Sequence, residues 1–126
     1  MSKLTFKEYE TKAMSTKMDS SNNFAYMMLN LVSEIGELSG LIAKAIRKGK
    51  CSIDNNNISF KNLTENEEKE FMSLLRKEHG DCLWQIFGLG VDLFGDNGSE
   101  LTANENIAKL SSRKERGVIE GSGDLR

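Results

Sequence analysis

The sequence predicts an all-α protein of four helices, on three observations. The 126 residues contain no proline and eleven glycines, a balance that suits long helices ended by glycine better than a β protein rich in turns. Apolar residues recur with the spacing of one helix face. Three segments also begin with a capping box, in which a threonine hydroxyl and a glutamate carboxylate accept hydrogen bonds from the first helical turn. The pairs are Thr5 with Glu8, Thr64 with Glu67 and Thr102 with Glu105.

Composition and charge narrow the class of protein. Apolar residues make up 38% of the chain and charged residues 29%, which is typical of a single globular domain, here expected over residues 1–126. The net charge of −2 argues against a partner such as a nucleic-acid polymer or an anionic membrane. The apolar runs are shorter than the ~20 residues of a spanning helix. The first residues show no apolar h-region, so no signal peptide is expected. A cytoplasmic protein is therefore expected.

The first two helices are predicted in the N-terminal half. The first runs from residue 6 into residues 14–18, after its capping box. The second runs from residue 22 or 23 to Lys48, and Gly49 follows the basic last turn as its C-terminal cap. The next segment, residues 50–63, is rich in asparagine and lacks helical periodicity. It is predicted to be an inserted, exposed loop.

The other two helices follow this loop. The third is predicted over residues 65–94 and ends at a Gly-Asp-Asn-Gly turn, residues 95–98. The fourth is predicted over residues 103–113, after the third capping box. Residues 117–126 are expected to form a C-terminal tail that contains the sequence Gly-Ser-Gly-Asp.

Two pairs of acids on the long helices carry the predicted chemistry. Glu34 and Glu37 lie three residues apart, as do Glu78 and Asp81, so each pair shares a helix face and borders an apolar stripe. If the stripes face one another, four carboxylates converge, and they must then take up protons or bind a cation. Oxygen ligands favour Mg²⁺ or Mn²⁺. An ordinary solvated helix face is the alternative explanation of either pair alone.

Other metal sites fit the composition less well. Two cysteines and a single histidine suit neither a zinc site nor a disulfide framework. An iron-carboxylate bundle uses Glu-x-x-His pairs, which one histidine cannot supply. Lys44 and Lys48 fall on the same angular sector as Glu37. They could bind phosphate or simply complement the C-terminus of their helix.

These motifs resemble those of the MazG-like nucleotide pyrophosphohydrolases, which are all-α NTP pyrophosphatases. The similarity covers residues 24–48 and 70–126. It is carried by Glu34-x-x-Glu37, Glu78-x-x-Asp81-Cys82-Leu83-Trp84, Asn106-Ile107-Ala108-Lys109-Leu110, Arg113 and the Gly-Ser-Gly-Asp tail. The related phosphoribosyl-ATP pyrophosphatases share the architecture, but the Asn-Ile-Ala-Lys-Leu and tail motifs favour the MazG-like side.

The resemblance implies a fold, an activity and a site. The fold is bundle-like with four helices and is completed by assembly into a homodimer or homotetramer. The activity is Mg²⁺-dependent hydrolysis of a nucleoside triphosphate between the α and β phosphates, which releases a monophosphate and pyrophosphate. The implied metal ligands are Glu34, Glu37, Glu78 and Asp81, of which Glu34 or Glu37 also serves as general base. By resemblance, Asn106, Lys109 and Arg113 are expected to bind the substrate, and Trp84 lies at the family's aromatic position, where a core tryptophan is the alternative. The substrate-binding residues expected from the sequence itself are Lys44, Lys48 and, in a tail that could equally be a frayed terminus, Arg126.

Two departures from the family pattern matter for this site. Some relatives carry an acid where this chain has Ser33, so a base from that position is absent. The separation between Glu37 and Glu78 is also longer than usual, and the extra residues are expected to form an insertion outside the metal site.

The alternative function is a non-catalytic helical bundle that binds a nucleotide or a protein and uses the acids to hold a structural cation.

Overall fold

A computed structural model describes residues 2–121 of the chain. This part contains four α-helices, a short 3₁₀ turn and one two-stranded antiparallel sheet. The elements are α1 (Phe6–Met14), the 3₁₀ turn (Asp19–Ser21), α2 (Phe24–Arg47), β1 (Cys51–Asp54), β2 (Asn57–Phe60), α3 (Glu65–Phe94) and α4 (Gly98–Glu115). The predicted all-α class is confirmed, since helices make up most of the described residues.

Two of the predicted capping boxes are present. The Glu8 carboxylate accepts a hydrogen bond of 2.9 Å from the Thr5 backbone N–H, and the Thr5 hydroxyl accepts one of 3.2 Å from the Glu8 N–H. Thr64 and Glu67 make the same reciprocal pair, at 2.7 and 3.2 Å. Both boxes satisfy N–H groups that a helix start would otherwise leave without partners.

The third predicted capping box, at Thr102 and Glu105, is wrong. The helix α4 begins at Gly98, so Thr102 lies inside the helix, where its hydroxyl donates a 2.8 Å hydrogen bond to the Gly98 carbonyl. The predicted fourth helix therefore started one turn too late. The true start depends on Glu10 of α1, whose carboxylate accepts a hydrogen bond from the Asn97 N–H. The local sequence does not reveal this contact, because Glu10 is far away along the chain.

The ends of α2 and α3 follow the prediction closely. The Asn23 side chain accepts a 2.8 Å hydrogen bond from the Tyr26 N–H and caps the start of α2. Gly49, with φ of +68°, lies just beyond the C-terminal residue of that helix. Gly95, with φ of +79°, ends α3 in the same way. Glycine adopts this left-handed conformation without the strain that a Cβ atom brings.

Residues 50–63 form a β-hairpin rather than the predicted loop. Cys51 pairs with Phe60 at the open end of the sheet, and the Lys61 N–H donates a 2.8 Å hydrogen bond to the Lys50 carbonyl just outside it. Asn55 and Asn56 form the turn, with φ of +49° and +64°. Positive φ at both positions is what a two-residue turn of type I′ requires, and asparagine tolerates it best after glycine.

The described chain divides into two compact units, to both of which α3 contributes. One unit is Lys17–Ile86, with α2, the hairpin and the first part of α3. Its core contains Met27, which has no exposed surface, together with a fully buried glutamine, Gln85. The Phe60 ring packs edge-on against Phe71, with ring centroids 5.8 Å apart, and so joins the hairpin to α3.

The other unit comprises residues 2–16 and 87–121. Its core is built around Phe87, whose ring stacks on Phe6 at 5.6 Å and meets Tyr9 edge-on at 4.7 Å. Gly90 and Gly98 lie in close contact here, and a Cβ atom on Gly98 would collide with the Gly90 carbonyl. The close approach of the last turns of α3 to the start of α4 therefore requires glycine at position 98.

No helix in residues 2–121 has an apolar stretch long enough to cross a membrane.

Candidate metal centre

The helices α2 and α3 each supply one acid pair within the unit Lys17–Ile86. Glu34 and Glu37 lie on α2, and Glu78 and Asp81 lie on α3. In each pair the side chains are three residues apart and therefore point from neighbouring positions on one face of their helix. The glutamates Glu34 and Glu78 are half-buried, whereas Asp81 and Glu37 are exposed. The acids therefore border the core, as the sequence predicts.

Three of these acids come together in space. Glu34, Glu78 and Asp81 each place one carboxylate oxygen so that all three atoms lie within 4.8 Å of one another. The fourth acid, Glu37, lies close enough to this trio for its charge to raise the pKa of both Glu34 and Glu78. The inserted hairpin therefore does not prevent residues of α2 and α3 from converging.

Burial and mutual repulsion alter the acid strength of the cluster. Burial raises the pKa of Glu34, against a hydrogen bond from Asn30 that lowers it, and the charges of Glu37, Asp81 and Glu78 raise it further. Burial also raises the pKa of Glu78, as do the charges of Glu37 and Asp81 and the hydrogen bond with Glu37. Both glutamates thus hold protons more tightly than exposed glutamates do.

The negative charge of the acid cluster also affects the buried thiol of Cys82. Cys82 is 7% exposed and follows Asp81 on α3. Burial raises its pKa, and the charges of Glu34, Asp81 and Glu78 raise it further. The thiol is therefore neutral and a poor metal ligand, since thiolate is the binding form. The chemistry of this cluster is that of oxygen ligands.

The donor set fits a small, hard divalent cation. Carboxylate oxygens are among the ligands that Mg²⁺ prefers. Three such oxygens, from Glu34, Glu78 and Asp81, already lie within 4.8 Å of one another, so one cation could be held by all three. A dication would also offset the repulsion that raises the pKa of Glu34 and Glu78. Glu34, Glu78 and Asp81 are the residues that could hold it, with Glu37 beside them.

Two amide side chains that the sequence analysis missed are connected to this cluster. Asn30 on α2 donates a 3.0 Å hydrogen bond to Glu34 and one of 3.1 Å to Gln85 on α3. The sequence carried a signal for both. Asn30 precedes Glu34 by four residues, and Gln85 follows Asp81 by four, so each amide lies one helical turn from an acid.

The candidate phosphate ligands of α2 lie toward its C-terminal end. Lys44 and Lys48 are both exposed, and Lys48 is the residue at which the helix ends. Lys44 follows Glu37 by two helical turns, about 10 Å along the axis. Trp84, the candidate aromatic contact on α3, is half-buried. These three side chains belong to the same compact unit as the acid cluster.

The remaining candidate substrate ligands lie on α4, in the unit formed by residues 2–16 and 87–121. Asn106 and Lys109 are exposed and line one pocket of about 220 Å³, together with Thr102 and Glu105. Arg113 is only 5% exposed, so in this chain its guanidinium presents little surface to a triphosphate. Arg126 and most of the Gly-Ser-Gly-Asp tail lie outside the described residues.

Comparison with known proteins identifies a phage relative. The chain is 32% identical over 108 residues to the Gene 37 protein of Mycobacterium phage L5. The aligned region covers 86% of this chain and 81% of the relative, so the similarity extends along most of both proteins. No protein-family model matches the chain. No solved structure matches it either.

Proposed function

The chain belongs to the same family as the Gene 37 protein of Mycobacterium phage L5, and we propose that it is a Mg²⁺-dependent nucleoside triphosphate pyrophosphohydrolase. In the proposed reaction water attacks the α-phosphorus, the bond to the β-phosphate breaks, and a nucleoside monophosphate and pyrophosphate are released. One observation carries the proposal. Carboxylate oxygens of Glu34, Glu78 and Asp81, from two helices, lie within 4.8 Å of one another.

The proposal also uses the resemblance to MazG-like enzymes. In that family the acids of both motifs hold Mg²⁺ together, so the motifs must meet in space for the activity to follow. The convergence of Glu34 with Glu78 and Asp81 satisfies this requirement despite the hairpin between the helices. The raised pKa values of Glu34 and Glu78 are a further feature of functional clusters of acids.

The acids have distinct proposed roles. Glu34, Glu78 and Asp81 would hold the cation, and Mn²⁺ is an acceptable substitute for Mg²⁺ with these ligands. A bound Mg²⁺ would withdraw electron density from the phosphate oxygens and lower the pKa of a water bound to it. Glu37 is the proposed general base, because it is exposed, acts on the charge of Glu78 and is not one of the three acids whose oxygens all lie within 4.8 Å of one another. Its carboxylate would accept the proton of the attacking water.

Cationic and amide side chains are the proposed contacts of the triphosphate. Lys44 and Lys48, in the same unit as the acid cluster, are exposed and can offer positive charge to phosphate oxygens. For Lys109, which is exposed in the other unit, this role rests on the family resemblance alone. Asn106 lines the same pocket as Lys109. The Trp84 ring is proposed to contact the nucleobase of the substrate. Arg113 is a further candidate from the family resemblance, although its burial leaves little surface for a triphosphate, and Arg126 is a candidate from the C-terminal tail.

Exposed apolar side chains on α2 support assembly into a homodimer or homotetramer. Leu29 is 74% exposed, Val32 70% and Ile35 51%. Their spacing of three residues places them along one side of the helix. A contiguous apolar surface of this kind is typical of an interface between subunits. Size-exclusion chromatography with light scattering tests this assembly, and a monomeric mass would contradict it.

We place the proposed activity in the cytoplasm. Cys51 and Cys82 are both free thiols and both buried, as expected of a protein from a reducing compartment. No helix of residues 2–121 could span a membrane. Nucleoside triphosphates, the proposed substrates, are cytoplasmic compounds.

The decisive experiment measures pyrophosphate and monophosphate release from a panel of ribo- and deoxyribonucleoside triphosphates. We expect turnover with Mg²⁺ and none after EDTA treatment. Loss of turnover in Asp81→Asn, with helical circular dichroism retained, would tie the reaction to the acid cluster. A folded protein that binds metal but releases no product from any triphosphate would instead favour the alternative, a nucleotide- or protein-binding bundle with a structural cation.

A further inference from the structure

A chain of hydrogen bonds runs from the core of the unit Lys17–Ile86 to the acid cluster. The Gln85 amide nitrogen Nε2 donates to the Met27 backbone carbonyl at 3.1 Å. The Asn30 nitrogen Nδ2 donates to Gln85 Oε1 at 3.1 Å and to Glu34 Oε1 at 3.0 Å. One end of the chain is therefore a fixed backbone atom, and the other is a carboxylate of the candidate metal centre.

The direction of every donor in this chain is determined. A backbone carbonyl only accepts hydrogen bonds, so Gln85 must turn its nitrogen toward Met27 and its oxygen toward Asn30. Because that oxygen also only accepts, Asn30 must present its own nitrogen. The two hydrogens on this nitrogen then serve Gln85 and Glu34. Rotating either amide by half a turn would place two acceptors against each other.

Burial locks this arrangement in place. Gln85 is 2% exposed and Met27 is fully buried, so water is excluded from the inner end of the chain. Leaving a buried amide without its partner costs on the order of 1–3 kcal/mol. The alternative orientations of Gln85 and Asn30 are therefore unfavourable, and Glu34 faces a donor of fixed position.

We infer that Asn30 and Gln85 are positioning residues, which hold the Glu34 carboxylate in one orientation for the cation. Asn30 acts directly on Glu34, and Gln85 acts through Asn30. Neither is a metal ligand. The inference rests on the proposed function, because it takes Glu34 as a ligand of the cation. Outer partners that orient metal ligands in this way typically change metal affinity by about 10- to 100-fold when they are removed.

The test measures Mn²⁺ binding alone, by the electron paramagnetic resonance signal of free Mn²⁺, so it needs no substrate. The variants are Asn30→Leu and Gln85→Met, which keep approximate size and remove the amide, and the double variant. Asn66→Leu, an exposed asparagine on the first turn of α3, is the matched control. Circular dichroism melting verifies that each variant is folded, and Asn30→Ala repeats the test without a bulky side chain.

We expect Asn30→Leu and Asn30→Ala to weaken Mn²⁺ binding by about 10- to 100-fold, and Asn66→Leu to leave it unchanged. Gln85→Met should weaken binding by a smaller factor. In the background of Asn30→Leu it should cause no further loss, because Gln85 acts through Asn30. If Gln85→Met acted by general destabilisation, it would weaken Mn²⁺ binding both in the natural chain and in Asn30→Leu. A loss that appears only when Asn30 is present therefore indicates positioning.

Three results would overturn these assignments. Unchanged Mn²⁺ affinity in folded Asn30 variants would remove the positioning role. Independent, multiplicative losses in the double variant would show that Gln85 does not act through Asn30. A wild-type protein that binds no Mn²⁺ would overturn both this inference and the proposed function. Wild-type protein that binds Mn²⁺ but hydrolyses no triphosphate would overturn the proposed reaction alone, and the binding constants would still test the positioning role.

Discussion

The carboxylate of Glu10 accepts a 2.9 Å hydrogen bond from the backbone N–H of Asn97. Glu10 lies on α1 and is 3% exposed, whereas Asn97 immediately precedes α4 and makes no cap with its own side chain. The other Glu10 oxygen accepts a longer bond, 3.5 Å, from the Ser99 N–H. A neighbouring helix thus supplies the cap that α4 lacks locally, and the negative charge favours the N-terminal end of its dipole.

Removing this cap should destabilise the protein. We expect Glu10→Ala to lower the free energy of unfolding by about 1–3 kcal/mol, because the N–H groups of Asn97 and Ser99 lose their acceptor. Glu105→Ala, on the exposed surface of α4, should change it by less than about 0.5 kcal/mol. Urea unfolding followed by circular dichroism measures both. Equal losses in the two variants would show that Glu10 does not cap α4.

Replacing Gly98 or Gly40 by alanine should change the stability of the protein in opposite directions. Gly98→Ala would drive a Cβ atom into the Gly90 carbonyl, and we expect it to cost about 1–3 kcal/mol through forced backbone movement. Gly40 lies inside α2 with nothing within 4 Å of a Cβ atom, so Gly40→Ala should stabilise by about 0.5–1 kcal/mol. Thermal melting of both variants gives the signs. A neutral Gly98→Ala would mean that the contact with Gly90 is loose.

The proposed base should be separable from the proposed metal ligands. We expect Glu37→Gln to reduce turnover by about 10²- to 10⁴-fold, because the amide cannot accept the proton of water. Mn²⁺ affinity should fall much less than in Asp81→Asn, which removes a member of the trio. Glu70→Gln, an exposed acid of α3, is the control for turnover. If Glu37→Gln and Asp81→Asn weaken Mn²⁺ binding equally, Glu37 is a ligand.

The stability of the metal-free protein should depend on pH through the acid cluster. Because the pKa values of Glu34 and Glu78 are raised above the ordinary 4.5, the folded state binds their protons more tightly than the unfolded state does. The resulting stability is complete below about pH 4.5 and is lost as the pH rises through the folded pKa values. In EDTA, the melting temperature should therefore fall as the pH rises above the ordinary pKa of 4.5, and added Mg²⁺ should restore it.

Glu78→Gln provides the control for this pH effect. Glutamine does not titrate, so the variant in EDTA should lose less stability as the pH rises than the natural chain does. Glu70→Gln, whose side chain is exposed, should keep the full effect. Melting curves across the pH series compare the three proteins. If the melting temperature falls with pH by the same amount in all three proteins, the pH dependence comes from groups other than Glu78.

Local signals predicted the elements that local contacts create. The capping boxes at Thr5 and Thr64 and the glycine after α2 act within one or two turns, so a few adjacent residues determine them. The acid pairs were predictable for a similar reason, because three-residue spacing fixes a shared helix face. Their meeting in space was predicted only on the condition that the two apolar stripes face one another.

Contacts between distant segments explain what the sequence analysis missed. The start of α4 depends on Glu10, far away along the chain, so Thr102 gave a misleading signal. The amides of Asn30 and Gln85 meet only after α2 and α3 pack. The hairpin was missed because an asparagine run indicates a loop, whereas here Asn55 and Asn56 form its turn.

The hairpin also offers a practical attachment point. Its stem is closed by the bond between the Lys61 N–H and the Lys50 carbonyl, so the chain leaves and returns at nearly the same place. Asn55 and Asn56 at its tip are exposed, and lengthening such a turn costs little loop-closure entropy. An epitope or biotin-acceptor peptide grafted there would tether the protein to a sensor surface while leaving the register of the strands intact.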